Sequence, residues 1–211
     1  MKKLSIILFF ATLCIAACKK DSKVSQVVTA SYPTVMVSGP QYYSINTGGT
    51  LPTITGTAYD SFYKESDPVT IDNSTLDNST PGLYIVQAKA KNKYGYIGTA
   101  NIYVAVTNVP TTQDISGTYK RDANGFIVNV TKVANGLYYT DNVGGTGALV
   151  VPAYFAVLND TTIDFGTQPT SGGTLTVSNP KLSLVPGDTT YQYKLNLSGF
   201  SPDAVRNFIK Q

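Results

Sequence analysis

Leu83-Tyr84-Ile85-Val86-Gln87-Ala88-Lys89-Ala90, then Asn92-Lys93-Tyr94-Gly95-Tyr96, then Thr99 to Val106 is the stretch from which the fold can be read. The first run is rich in β-branched and aromatic residues. The last alternates strictly, with Ala100, Ile102, Val104 and Val106 on one face. A period of two is that of a half-buried strand, and the short glycine-bearing segment between the runs is a hairpin turn. Strands joined by such turns need no helix.

The same grammar extends in both directions. Upstream, Thr34-Val35-Met36-Val37 runs into Gly39-Pro40, and Tyr42-Tyr43-Ser44-Ile45 runs into Asn46-Thr47-Gly48-Gly49. Ile54 to Tyr59 alternates and stops at Asp60. Downstream, Asn108 to Gln113 reads as a junction, after which Asp114-Ile115-Ser116-Gly117-Thr118-Tyr119 opens a second β unit. Phe126 to Val133 alternates, Asn135-Gly136 is a two-residue hairpin signal, and Leu137 to Thr140 returns. Further strands are expected at 148–151, 154–158, 162–165, 174–177, 181–185 and 191–197. Pro202 to Lys210 is the one stretch that reads as a terminal helical turn. The predicted fold is therefore all-β: a sandwich over 32–109, then a second antiparallel β domain, a small barrel or sandwich, over 110–211.

Composition removes whole classes of chemistry. There is no histidine, and the two cysteines, Cys14 and Cys18, both lie at the N-terminus. The usual general base, the commonest zinc ligand and the Ser/His/Asp and Cys/His arrangements are all absent. No cofactor is expected. The N-terminus has its own three-part pattern: Lys2-Lys3, the apolar run Leu4 to Leu13, and Ile15-Ala16-Ala17 before Cys18. That is the layout of a secretory signal, too short in its apolar part to span a bilayer permanently. Without Lys2 and Lys3 the charge of +3 falls to about +1, which gives no electrostatic reason to expect nucleic acid. Lys19 to Ser31 is polar and reads as a tether.

The segment ending at Cys18 resembles a bacterial lipoprotein signal peptide with its lipobox, Ile15 standing where Leu is usual. The likeness implies a signal peptide over 1–17, removal up to Ala17, lipidation of Cys18 and a tether over 18–31. Lys19-Lys20-Asp21-Ser22 resembles the short signals that send Bacteroidetes lipoproteins to the outer face of the outer membrane. Gly56-Thr57-Ala58-Tyr59-Asp60, Leu76 to Tyr84 and Asn92-Lys93-Tyr94-Gly95 resemble bacterial immunoglobulin-like surface domains, spacers or adhesive modules. Ser116 to Arg121, Asn135 to Tyr139 and Asn159 to Ile163 extend the likeness to Bacteroidetes outer-membrane lipoproteins that follow such a domain with a C-terminal all-β domain. The Gly-x-Tyr opening of that second unit is also similar to a lipocalin-like calycin. Asp160-Thr161-Thr162 and Asp188-Thr189-Thr190 resemble the Asp-Thr-x motif of Bacteroidetes O-glycosylation, which makes Thr161 and Thr189 candidate sites.

Asp60, Glu65, Asp67, Asp72 and Asp77 crowd a turn-rich stretch without EF-hand spacing; they read as solvated or turn-capping acids, with Asp60, Asp67 and Asp72 as calcium candidates. Gly144-Gly145-Thr146-Gly147 lacks the Lys-Ser/Thr and helix of a phosphate loop. Tyrosines are better candidates, because a flat amphipathic ring beside Asn or Gln suits a sugar face. Alternation turns one ring of Tyr42-Tyr43 and one of Tyr138-Tyr139 off the core. Tyr94 and Tyr96 flank a hairpin glycine. Tyr94, Tyr96, Tyr138 and Tyr139 are thus the candidate ligand-binding residues. The expected function is non-enzymatic: a lipid-anchored envelope protein that binds surface glycan or serves polysaccharide uptake. Its expected partners are the membrane, a polysaccharide or an outer-membrane protein. The alternative is a structural or adhesin-like protein-interaction module without a small-molecule site.

Overall fold

The first half of the fold follows directly from the alternation. In this computed structural model, which describes residues 29–185, 187–202 and 204–211, the strands are β1 (Thr34–Ser38), β2 (Tyr42–Ile45), β3 (Thr55–Asp60), β4 (Glu65–Ser66), β5 (Val69–Asp72), β6 (Gly82–Lys91) and β7 (Ile97–Val106). They form two sheets, β1-β3-β4 and β2-β7-β6-β5, with β2 parallel to β7 and the other pairs antiparallel. Val86 and Ala88 of β6 and Ile102, Val104 and Val106 of β7 point between the sheets, where Val35 and Val37 of β1 meet them. Tyr84 packs on the same core and its hydroxyl donates to the Thr80 carbonyl at 2.9 Å, tying the Pro81-Gly82 turn to its strand.

The second half is one long curled sheet. Its strands are β8 (Gly117–Arg121), β9 (Ile127–Ala134), β10 (Leu137–Thr140), β11 (Ala153–Asn159), β12 (Thr162–Asp164), β13 (Gln168–Thr170), β14 (Gly173–Val185), β15 (Asp188–Asn196) and β16 (Val205–Lys210). Their spatial order is β12-β11-β10-β9-β8-β16-β15-β14-β13. The sheet curls far enough for Leu182 N–H in β14 to reach the Thr161 carbonyl beside β12, at 2.8 Å. Tyr119, Tyr138, Phe155, Phe165, Tyr191, Tyr193 and Phe208 fill the concave side, each less than 2% exposed. The chain is all-β, with no helix among the described residues.

Three local expectations are corrected. Residues 205–210 are a strand, inserted between β8 and β15, because Arg206 and Phe208 alternate inward and the sheet needs a middle partner there. Residues 148–151 are a loop, and the segments at 174–177 and 181–185 are one strand, β14, with Asn179 at φ 53° where its register shifts.

Ser31–Gln211 clusters as one unit. Its halves meet along a buried seam in which Leu83 and Ala105 pack on Leu137 and Ala156. Burying a leucine side chain contributes about 1.5–3 kcal/mol. Thr107 Oγ donates to the Val157 carbonyl at 2.7 Å, so the seam is bonded as well as apolar.

Candidate functional site

The outer face of β2-β7-β6-β5 follows from the same alternation that builds the core. With Val86, Ala88, Ile102 and Val104 turned inward, Ile85, Gln87, Lys89, Asn101 and Tyr103 must turn outward. Register then lines them up in rows. Asp72, Gln87 and Asn101 lie directly across from one another, and the next row is Ile85, Tyr103 and Tyr42. One row further, Leu83 and Ala105 disappear under the second half. A polar row, an aromatic row and a covered row succeed each other along the sheet.

The second half supplies the other rings. Tyr154 of β11 lies 4.0 Å from Tyr103, centroid to centroid, and Tyr139 of β10 lies 5.3 Å from Tyr154. Tyr42 and Tyr103 are stacked at an interplanar angle of 25°. The Tyr42 and Tyr154 hydroxyls are 2.8 Å apart. All four rings are half-buried, so each keeps an accessible portion. Beside them, Gln87 Nε2 donates to Asn101 Oδ1 at 3.3 Å, and Lys89 Nζ pairs with Asp72 at 2.6 Å. A groove of about 420 Å³ continues the face past Ile85 and Gln87, with Asp72 at its side and Thr167 and Pro169 as its far wall. That volume lies within the usual range for small-ligand sites, which often form between packed units.

The wall is held by buried polar bonds. Gln168 is 1% exposed; its Oε1 accepts from Tyr154 N–H, and its Nε2 donates to the Tyr154 and Phe165 carbonyls. Asp164 accepts from the N–H of Leu83 at 2.8 Å and from that of Gly166. Gly166 has φ +56°, and a Cβ there would stand 2.6 Å from the Leu83 carbonyl oxygen, so only glycine brings the two segments this close.

The protonation states are fixed near neutral pH. Burial raises the Tyr154 hydroxyl pKa, and its bond to Tyr42 raises it further. Burial also raises Tyr103, with the Asn101 bond opposing. Both rings remain neutral donors. The Lys89 bond, then those of Ser74, hold Asp72 far below the usual carboxylate range, so it is an anion. The face thus offers neutral rings, amide donors and acceptors, and one compensated charge pair.

The predicted residues divide. Tyr139 joins this face. Tyr138 does not: it is fully buried, its hydroxyl donating to the Gln113 carbonyl and accepting from Ile115 N–H, so it is a core ring and not a ligand contact. Tyr94 and Tyr96 sit in the β6–β7 turn, at the opposite end of those strands from the seam. There Tyr94 packs on Tyr63 at 4.4 Å under Lys93, and Tyr96 meets Tyr32 edge-on. The calcium set is not brought together. Asp60 is fully buried at the end of β3, accepting from Ser31, Asn92 and the N–H groups of Phe62 and Tyr63. Asp72 is on the other sheet, paired with Lys89. Among the described residues no three metal-ligating side chains cluster. Thr161 is exposed in the β11–β12 turn, where its hydroxyl donates to Asn159, and Thr189 is half-buried opposite Leu184 in β14. Cys18 lies outside the described residues. Sequence reasoning does not single out Gln87, Asn101, Tyr103 or Tyr154; the signal for the first three is the odd half of the very alternation that defines β6 and β7, and Tyr154 comes from β11.

Comparison with known proteins finds a likeness among solved structures. No protein-family profile matches the chain, and no curated protein does. Among solved structures it is similar to a lipoprotein of Bacteroides thetaiotaomicron, at 19% identity and a TM-score of 0.36, over 84% of this chain and 100% of that one.

Proposed function

We propose that this chain is a lipid-anchored protein of the outer membrane that binds polysaccharide on the outer face of β2-β7-β6-β5, its first half serving as an Ig-like surface domain. The observation that carries the reading is the placing of Tyr42, Tyr103 and Tyr154 beside Asn101 and Gln87. The C–H face of a sugar stacks on such rings, and its hydroxyls need neighbouring groups that both donate and accept. Lys89 and Asp72 neutralise each other, which suits a neutral glycan. Among the described residues Asp72 is the one carboxylate lining the groove, whereas glycoside hydrolysis ordinarily uses a pair, which favours a reading of binding without catalysis. Anchoring rests on the Lys2-Lys3, apolar run and Ile15-Ala16-Ala17-Cys18 pattern. Retention of wild-type protein on a polysaccharide array, with loss in Tyr103→Ala and Gln87→Ala, is the expected result; an array that retains nothing rejects glycan binding. Cys18→Ala should leave the protein unprocessed or soluble, and a mature-sized, membrane-bound Cys18→Ala protein would reject the anchor.

A second reading, an adhesin-like contact, is favoured by the outer side of the three-stranded sheet. Met36 and Tyr59 lie there as diagonal neighbours, 65% and 49% exposed. Co-purification of an envelope protein that is lost on Met36→Lys would favour it.

A further inference from the structure

The chain contains two arginines, Arg121 and Arg206, and the fold puts them side by side. Arg121 ends β8, directly opposite Phe208 of β16, and Arg206 is two residues before Phe208 on the same strand. They are diagonal cross-strand neighbours on one face, within reach for long side chains. That face is the concave, aromatic-filled side, where Tyr193 is the direct partner of Arg206. Arg206 is 3% exposed.

Both guanidinium groups are used in the same incomplete way. Arg121 Nη1 donates to the Gly144 and Gly145 carbonyls, each at 3.3 Å. Arg206 Nη1 donates to the Ala204 carbonyl at 2.7 Å and the Ser201 carbonyl at 3.4 Å. The Nε of each is buried without a partner. The ion pairs among the described residues are Lys89–Asp72 and Lys93–Glu65, so neither arginine meets a carboxylate there. Among the described residues no hydrogen bond reaches the Nε–Nη2 edge of either, the fork that takes carboxylate or phosphate oxygens in pairs. Arg206 is withdrawn from water and Arg121 is half-buried beside it, and a buried charge with no counter-ion among the described residues is costly. Burial, then the neighbouring Arg121, press the Arg206 pKa downward, with Tyr193 opposing.

The surroundings are built around the pair. Gly145 has φ +56°, and a Cβ there would crowd the Arg121 side chain at 2.8 Å and the Phe208 ring, so glycine is what lets Arg121 lie flat. Asn124 Nδ2 holds the Gly145 carbonyl at 3.0 Å, and the Phe200 ring covers Arg206 at 5.2 Å.

We infer that Arg121 and Arg206 form a binding site for a small oxyanion, a carboxylate or phosphate group carried by a ligand, separate from the tyrosine face. Two probes distinguish the source: inorganic phosphate and glucuronate, each replacing chloride at constant ionic strength. With only two arginines, the Nε–H region of a nitrogen–proton spectrum holds two side-chain signals, and both should shift saturably with one anion while the melting temperature rises. Response to phosphate alone assigns a phosphate-bearing ligand; response to glucuronate alone assigns an acidic sugar. Arg121→Lys and Arg206→Lys keep the charge but lose the fork, and each should lose the melting response. If neither anion moves the two signals, or if the rise persists in both lysine variants, the arginines merely staple the backbone at Gly144, Gly145, Ser201 and Ala204 and the inference is wrong. Should Arg206→Lys fail to fold, the wild-type spectra and Arg121→Lys decide alone.

Discussion

The hydroxyl of Tyr42, in β2, lies 2.8 Å from that of Tyr154 in β11, 112 residues later in the chain. It is a bond between the two halves at the edge of the candidate face, and it fixes the angle at which the rings are presented. Tyr42→Phe and Tyr154→Phe should each cost about 0.5–1.5 kcal/mol of stability, the usual net value of one hydrogen bond. The double variant should cost little more than either single one, because both remove the same bond. Chemical denaturation of the four proteins checks this; additive losses would show that the hydroxyls act separately.

Tyr103 and Tyr138 test the division between face and core. Tyr138→Ala empties a buried site and should cost about 3–5 kcal/mol of folding stability. Tyr103→Ala removes a half-buried ring from the face and should cost about 1–3 kcal/mol of glycan binding, on the scale of interface hot spots. Denaturation and titration of the polysaccharide that the array retains, done on both variants, separate the two. A Tyr103→Ala protein that binds normally would remove that ring from the site.

Acid sensitivity follows from the first sandwich. Burial works to raise Asp60, but the bonds from Asn92, Ser31, Tyr63 and Phe62 outweigh it and leave the pKa below its ordinary 3.8. Asp72, through Lys89, and Asp77, through Ser79, are lowered too. A carboxyl group whose folded pKa is lowered contributes stability above its unfolded value, and that stability is lost as pH falls below about 3.8. Asp67 runs the other way: burial, then Glu65 and Asp60, raise it, and its Oδ2 has no partner. Its ionisation above 3.8 works against folding. Asp60→Asn should therefore lower the melting temperature at pH 7 and flatten the acid decline, whereas Asp67→Asn should raise the neutral melting temperature. Melting curves from pH 2 to pH 7 give both slopes, and a rise in Asp60→Asn would reverse the argument.

Gly136 marks where the linker crosses the β9–β10 turn. It has φ +64°, and a Cβ there would come within 2.7 Å of Thr107 and 2.9 Å of Val109. Gly136→Ala should cost at least the roughly 1–2 kcal/mol of a left-handed residue with a side chain. Asn135→Ala, which loses a bond to the Val109 carbonyl, should cost about 0.5–1.5 kcal/mol. Equal stabilities for the two variants would mean that the linker does not press on the turn.

How legible this was depended on distance along the chain. β6 and β7 could be read because pattern and turn lie within twenty-five residues, and the Asn135-Gly136 hairpin for the same reason. β13 and β16 could not: Gln168–Thr170 is three residues long, and 205–210 looks helical until one knows that β8 and β15 need a strand between them. The tyrosine face divides likewise. Tyr42 and Tyr139 were marked by adjacent pairs, one of whose rings must leave the core. Tyr154 is likewise paired with Phe155, whose ring takes the core, but its meeting with Tyr103 is a product of the seam, which no local pattern encodes. The pairing of Arg121 with Arg206 is of that second kind, set by a register spanning eighty-five positions.

Leu83 and Ala105 sit under Leu137 and Ala156, and this bears on inheritance. A gene fragment ending near codon 109 would yield a sandwich with Leu83, Ala105, Tyr42 and Tyr103 newly wetted, and the complementary fragment would uncover Leu137 and Ala156. Neither fragment is a cassette that recombination could move to another protein without a new lid. The two halves should therefore travel through genomes together, and substitutions along the seam should change in matched pairs.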